Sequence, residues 1–206
     1  YIEPDGRFPN HHPDPTVEAN VADLKAKVAE VGAEVGIALD GDADRLGVVD
    51  AKGRIVWGDQ LMILFARSIL KEQPGATFVS EVKCSKAMYD EIAKAGGKAI
   101  MWKVGHSLIK EKMKEEKALL AGEMSGHIFF AHRYYGYDDA IYAAARLVEL
   151  LTRDDKPLAE HVDGLPKLFN TPEIRYELPD EIKFDVVRRV VEHYKASAEK
   201  EGHHVV

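Results

Sequence analysis

Residues 77–102 read TFVSEVKCSKAMYDEIAKAGGKAIMW, and this stretch decides the fold class. Thr77 to Val82 is strand-like in composition and length. Lys86 to Ala95 has helical spacing and stops at Gly96-Gly97. Ala99 to Trp102 is again strand-like. A strand, a helix and a second strand joined by short turns predict a parallel crossover, the unit of α/β proteins.

The alternation continues in both directions. Toward the N-terminus, Asp59 is placed to cap a helix carrying Leu61, Leu64, Phe65 and Ile69 and ended by Pro74. Before it, Arg54 to Trp57 and Leu46 to Asp50 read as strands joined at Ala51-Lys52-Gly53, and Val35 to Leu39 as a short buried strand. Asp14-Pro15 looks like an N-cap with proline at the first helical position. Val17, Val21, Leu24, Val28 and Val31 then form one apolar helical face, closed by Gly32. Toward the C-terminus, Ser107 to Lys117 reads as a charged amphipathic helix, and Ala118 to Ala121 and Ile128 to Ala131 as short strands flanking a loop. Asp138 is placed to cap a helix reaching about Thr152. This pattern predicts three-layer α/β architecture with a mixed sheet. Asp154 to Pro172 reads as a linker. A strand at Ile174–Leu178 and a helix at Glu181–Lys200, with Phe184, Val187, Val191 and Tyr194 on one face, follow it. One strand and one helix cannot close a core, so this tail is expected to open a further domain.

Composition narrows the function classes. The 206 residues are 46% hydrophobic and 31% charged, which fits a globular protein with a sizeable core. A net charge of −7 argues against a nucleic-acid or anionic-membrane binder, which needs a basic face. One cysteine, Cys84, excludes a disulfide framework and a Cys-rich zinc site, and a cytoplasmic setting is the expectation. No apolar run approaches the roughly 18 residues of a membrane span. The Pro-rich opening at Tyr1 and the abrupt end at Val205-Val206 suggest a fragment of a longer protein.

Two loops carry the chemistry. Asp40-Gly41-Asp42-Ala43-Asp44-Arg45 follows a predicted strand. Three carboxylates at alternate positions of a tight turn repel one another unless a cation holds them. Oxygen-only ligands select a hard ion, Mg²⁺ or Ca²⁺. Arg45 supplies a fork suited to phosphate, and metal beside a phosphate-binding Arg is an arrangement for phosphoryl transfer. An EF-hand requires Gly at its sixth position and Glu at its twelfth, where Arg45 and Ala51 stand. A solvated acidic turn is the plainer alternative. The second loop, Gly122-Glu123-Met124-Ser125-Gly126-His127, gathers a carboxylate, a hydroxyl and an imidazole between glycines. It can bind vicinal sugar hydroxyls, or be an ordinary turn. Lys83 and His106 lie at strand-to-helix junctions, where α/β proteins bind ligands, although lone Lys and His residues are commonly structural. Cys84 reads as a buried inert thiol, and His11-His12 as loop structure rather than a metal pair. Walker, Rossmann and Ser-His-Asp signatures are absent from the sequence.

Together and in this order, the acidic loop, Trp102-Lys103-Val104-Gly105-His106-Ser107 and Gly122–His127 resemble the motifs of the α-D-phosphohexomutases. The chain is most similar to the bacterial phosphomannomutase/phosphoglucomutase group. Gly6 to Pro15 is similar to the loop preceding the last helix of that family's metal-loop domain. The resemblance implies phosphohexomutase-type domains truncated at both ends. Residues 1–54 would be the later half of the second domain, 55–166 a complete third, and 167–206 the start of the fourth. It implies conversion of mannose or glucose 1-phosphate to the 6-phosphate through a phosphoserine and a bisphosphorylated sugar. Asp40, Asp42 and Asp44 would hold Mg²⁺, and Arg45 would steady the transferred phosphoryl group. Glu123 and Ser125 would bind sugar hydroxyls; Lys83, His106 and His127 match positions near the reacting groups, and which is the general base stays open. Met124 fits this group better than the glucosamine-phosphate mutases. The Ser-His-Asn-Pro setting of the phosphoserine does not occur here, so the fragment alone is expected to be inactive and its partners to include the missing flanking domains. The rival readings are a haloacid-dehalogenase-like phosphatase, whose loop needs Thr or Val where Asp44 stands, and a non-catalytic Mg²⁺ or sugar-phosphate binding module.

Overall fold

The computed structural model describes residues 3, 5–167, 174 and 176–201, and for 198–201 the backbone alone. The chain divides into two compact units, residues 1–168 and 169–206.

The first unit holds two sheets. Strands β1 (Val35–Leu39), β2 (Leu46–Asp50) and β3 (Ile55–Val56) form an antiparallel sheet in that order. Strands β4 (Thr77–Glu81), β5 (Lys98–Trp102), β6 (Leu120–Gly122) and β7 (Ile128–Phe130) form a mixed sheet of order β5-β4-β6-β7. β4 pairs in parallel with both β5 and β6, while β6 and β7 are antiparallel. Side chains alternate across this sheet, as strand geometry requires. Phe78, Leu120, Ile128 and Phe130 point to one face, where they pack with α2 (Gly58–Glu72), α3 (Lys86–Lys94) and α5 (Ala140–Thr152). Val79, Ala121 and Phe129 point to the other, against Ile109 and Met113 of α4 (His106–Glu115). This is the three-layer mixed α/β arrangement expected from the alternation of elements. Leu46, Val48 and Val56 join the larger core, so both sheets share it. Each fully buried Leu or Phe there is worth roughly 1.5–3 kcal/mol. Phe65 and Phe130 meet edge to face at 5.0 Å.

Several local expectations need correction. Asp14 does not cap a helix; it accepts from the backbone and hydroxyl of Thr16, and the chain makes a 3-10 turn at Glu18–Val21 before α1 (Ala22–Val31). β1 is not buried: it is an edge strand with Ile37 and Leu39 36% and 38% exposed. Asp59 is the second residue of α2 rather than its cap, and Gln60 accepts from the Trp57 N–H instead. The cap of α5 is Asp139, which accepts from Tyr142 N at 2.8 Å; Asp138 is turned to the site described below. The expected linker contains α6 (Leu158–Asp163), with Leu158 and Leu165 in the core and Asp163 paired to Lys52 and Arg54. Residues 168–172 of that linker lie outside the described residues.

In the second unit, α7 (Asp180–Glu201) carries Phe184, Val187, Val191 and Tyr194 at helical spacing. Residues 174 and 176–178 are not in a strand, and Arg175 lies outside the described residues. Among the described residues no helix is long and apolar enough to cross a membrane.

Candidate active site

The acidic loop connects β1 and β2 and is organised by its first residue. Asp40 Oδ1 accepts the backbone N–H groups of Asp44 and Arg45, each at 3.0 Å, and Oδ2 accepts Arg45 Nε at 2.7 Å. Ala43 adopts a left-handed φ of 61°, which closes the turn. Burial disfavours the ionised Asp40, but the Arg45 contacts and backbone donors outweigh it and hold the carboxyl below its ordinary value. Asp44 moves the opposite way. Burial raises it, and the Asp40 and Asp42 charges add to that, against the pull of His127. Oxygens of Asp40, Asp42 and Asp44 lie within 4.8 Å of one another. The donor set is all oxygen and crowded with like charge, which fits a hard divalent cation.

The second loop, between β6 and β7, meets the first. Arg45 and His127 form an antiparallel bridge, and Leu46 N donates to Gly126 O at 3.0 Å. Ala140, the first residue of α5, donates its N–H to Ala43 O at 3.0 Å. His127 is the junction. Its Nδ1 lies 2.8 Å from Glu123 Oε2 and 3.1 Å from Ser125 Oγ, and its Nε2 3.3 Å from Asp44 Oδ1. Burial works against the imidazolium, yet Glu123, Asp44 and Asp138 outweigh it and raise its pKa. Glu123 is correspondingly held low, against its burial, by His127, the Gly105 N–H at 2.9 Å and the Lys83 charge.

His106 opens α4 and lies parallel to the His127 ring, with centroids 5.8 Å apart. Lys83 is exposed on the turn after β4. The structure therefore brings Asp40, Asp42, Asp44, Arg45, Glu123, Ser125, His127 and His106 to one end of the mixed sheet, with Lys83 within electrostatic reach. Two glycines make this closeness possible. Gly126 has φ +100°, and a Cβ there would sit 2.5 Å from Leu46 O. A Cβ on Gly58 would sit 2.1 Å from Glu123 O.

Sequence reasoning missed two carboxylates. Asp138 pairs in a bridge with Phe129, binds Lys110 Nζ at 3.0 Å and faces His106 Nδ1 at 3.6 Å. With Asp44 and His127 it forms a second group of possible ligand atoms within 4.8 Å. Capping rules place the helix start only to within a residue, so Asp138 reads as the cap that Asp139 supplies, which hides its place in the site. Glu81 is buried at the end of β4, and a Glu closing a strand that carries Phe78 and Val79 was the available signal. His11 turns its Nδ1 to His12 O at 2.8 Å, and neither histidine belongs to a possible ligand cluster among the described residues. Cys84 is buried beside Ser80 Oγ, and burial pushes its thiol up to about 12, consistent with an inert role.

A family model for phosphoglucomutase/phosphomannomutase, alpha/beta/alpha domain III, matches residues 57–169, and that for domain II matches residues 1–53. The chain belongs to the phosphoglucomutase/phosphomannomutase family. It is 50% identical over 187 residues to a phosphomannomutase/phosphoglucomutase of Pseudomonas putida, covering 91% of this chain and 40% of the relative. It is 47% identical over 202 residues to a phosphoglucomutase of Neisseria gonorrhoeae, covering 98% of this chain and 43% of the relative. A crystal structure of a family protein from Burkholderia thailandensis matches with a TM-score of 0.78 at 49% identity, over 82% of this chain and 36% of that one. The chain thus spans about two-fifths of the length of these curated relatives.

Proposed function

We propose that this chain carries the metal-loop and sugar-loop portion of a cytoplasmic phosphohexomutase that interconverts hexose 1-phosphates and hexose 6-phosphates of mannose or glucose. One observation carries the reading: Asp44 and Arg45 of the acidic loop both engage His127 of the sugar-type loop. A metal-and-phosphate site and a hydroxyl-binding site are thereby built as one surface. The names of the relatives, phosphomannomutase/phosphoglucomutase and phosphoglucomutase, support the same chemistry.

In this reading Asp40, Asp42 and Asp44 hold Mg²⁺, which when bound supplies charge neutralisation for phosphoryl transfer. Arg45 orients a phosphoryl group; its Nε already rests on Asp40, so the guanidinium is pre-positioned. Glu123 and Ser125 accept and donate to sugar hydroxyls. His127 carries a proton at Nδ1 toward Glu123, and the Asp44 contact favours its charged form. His106 and Lys83 flank it as further proton-holding groups near the reacting oxygen. The phosphoserine and the remaining phosphate contacts come from other segments of a longer protein, because no Ser-His-Asn-Pro motif occurs in these 206 residues. The relatives' names give no support to a haloacid-dehalogenase-like phosphatase.

The test is an assay of the longer protein with mannose 1-phosphate, Mg²⁺ and a hexose 1,6-bisphosphate. Formation of mannose 6-phosphate is expected. Release of inorganic phosphate without isomerisation would overturn the reading in favour of a phosphatase. Binding with no turnover would favour a non-catalytic sugar-phosphate module.

A further inference from the structure

Glu81 ends β4 with 0% exposure, and its carboxylate has no part in the roles above. Its two oxygens serve two different loops. Oε2 accepts the backbone N–H of Lys83 at 2.6 Å, and Oε1 accepts the backbone N–H of Met124 at 3.0 Å. Met124 stands between Glu123 and Ser125, so one carboxylate ties the Lys83 turn to the sugar-type loop. The strand register makes this possible: Ser80 is paired with Gly122, which sets Glu81 level with the start of that loop. The loop has little slack on its other side, since Gly58 of α2 touches the Glu123 carbonyl more closely than any Cβ would allow. A buried carboxyl group is costly unless its oxygens are filled, and these two bonds fill both of them.

We propose that Glu81 is a positioning residue that sets the span between the Lys83 ammonium and the Glu123 and Ser125 side chains, and so sets how tightly the site holds a hexose phosphate. The sugar part of this inference rests on the mutase reading above. A neighbouring carboxylate offers a control. Asp59 accepts from Ser85 N at 3.2 Å and Gln60 N at 2.9 Å, holding the same turn without touching the sugar-type loop.

Glu81→Gln retains one acceptor oxygen and sets an amide donor against a backbone N–H, so one of the two bonds is lost. In the longer protein, KM for hexose phosphates is expected to rise at least about tenfold, the scale of one charge-assisted bond, with kcat and Mg²⁺ affinity much less changed. Asp59→Asn is expected to leave KM as it is. Equal KM rises in both variants, or a fall in kcat at constant KM that tracks loss of folded protein, would overturn the proposal. A second measurement needs no activity. In the unmutated 206-residue chain the Lys83 and Met124 amides, both outside helices and strands, are expected to exchange slowly with solvent hydrogen. In Glu81→Gln at least one of them speeds up about tenfold or more, while amides of α2 and β4 keep their protection. Fast exchange at either amide in the unmutated chain overturns the clamp whatever the kinetics show. Absence of mutase activity in the unmutated longer protein would instead sink the mutase reading, and exchange would still decide whether Glu81 holds the two loops.

Discussion

The two loops of the site are built on opposite principles. The acidic loop is held mostly from within: the Asp40 carboxylate accepts three hydrogen bonds from residues four and five positions on, and Ala140 N reaches Ala43 O from outside. The loop at Gly122–His127 is held largely from outside. Gly105 N reaches Glu123, Glu81 reaches Met124, Leu46 reaches Gly126, and the backbone of Gly58 lies against the Glu123 carbonyl. A self-contained loop keeps its shape when its surroundings shift. A loop held by distant elements reports every change in their packing, and in exchange it is placed accurately against groups far away in sequence.

The largest expected contrast is between two glycines. Gly126→Ala puts a side chain at φ +100° with its Cβ 2.5 Å from the Leu46 carbonyl. Strain and clash together should cost about 2–4 kcal/mol and lower Tm on the order of 10 °C. Gly41→Ala in the acidic loop meets only side-chain atoms of Phe8 and Pro13 at 3.3 Å, and should cost less than about 1 kcal/mol. Thermal unfolding of both variants would erase the comparison if the two losses were equal.

Next comes Glu123→Gln. The carboxylate accepts from Gly105 N and from His127, and the amide cannot serve both in the same way. A charge-assisted hydrogen bond is worth about 1.5–3 kcal/mol, so kcat/KM of the longer protein should fall roughly ten- to a hundredfold, with Mg²⁺ affinity little changed. Kinetics on mannose and glucose phosphates that match the unmutated enzyme would remove Glu123 from the sugar site.

Asp42→Asn tests the self-contained loop. Asp42 takes no part in the Asp40 hydrogen bonds that hold the turn, so its loss should leave the fold unchanged while weakening Mg²⁺ binding several-fold. Calorimetric titration of the longer protein measures this; unchanged affinity would mean that the ion, if bound, sits elsewhere.

The smallest effect is a pH dependence confined to the junction. The Glu123 carboxyl is held below its ordinary value of 4.5, so its contribution to stability is present above that value and lost as pH falls through the lowered one. His127 is raised above 6.5, so its contribution is complete below 6.5 and lost as pH rises through the raised value. In metal-free buffer the chain should therefore be most stable between these limits. His127→Asn should flatten the alkaline side, and a Tm profile identical in both proteins would show that the junction adds nothing.

Much of the architecture was legible because it is local. The β4–α3–β5 crossover follows from apolar periodicity and glycine stops within 26 residues, and the alternation around it implied the three layers. The acidic loop was legible for the same reason, since Asp40, its small spacers and Arg45 are neighbours in sequence. The errors fall where one residue must be chosen from a pair or a partner lies far off. Asp138 and Asp139 are interchangeable to a capping rule, and only the Phe129 bridge and Lys110 separate them. Ile37 and Leu39 look like core residues until the strand order puts β1 at an edge.

The sequence by itself determined which chemistries were present: a crowded set of carboxylate oxygens with an arginine beside it, and a carboxylate, a hydroxyl and an imidazole between glycines. Residue type and near spacing set charge, donor capacity and turn geometry, and these need no distant partner. Only the tertiary structure decided that the two sets form one site. His127 lies 83 positions beyond Asp44 in the chain, yet its Nε2 stands 3.3 Å from that carboxylate. The raised His127 draws on that approach. The approach is created by the pairing of β4 with β6 and by the shared core beneath both sheets, interactions that no short window of sequence contains.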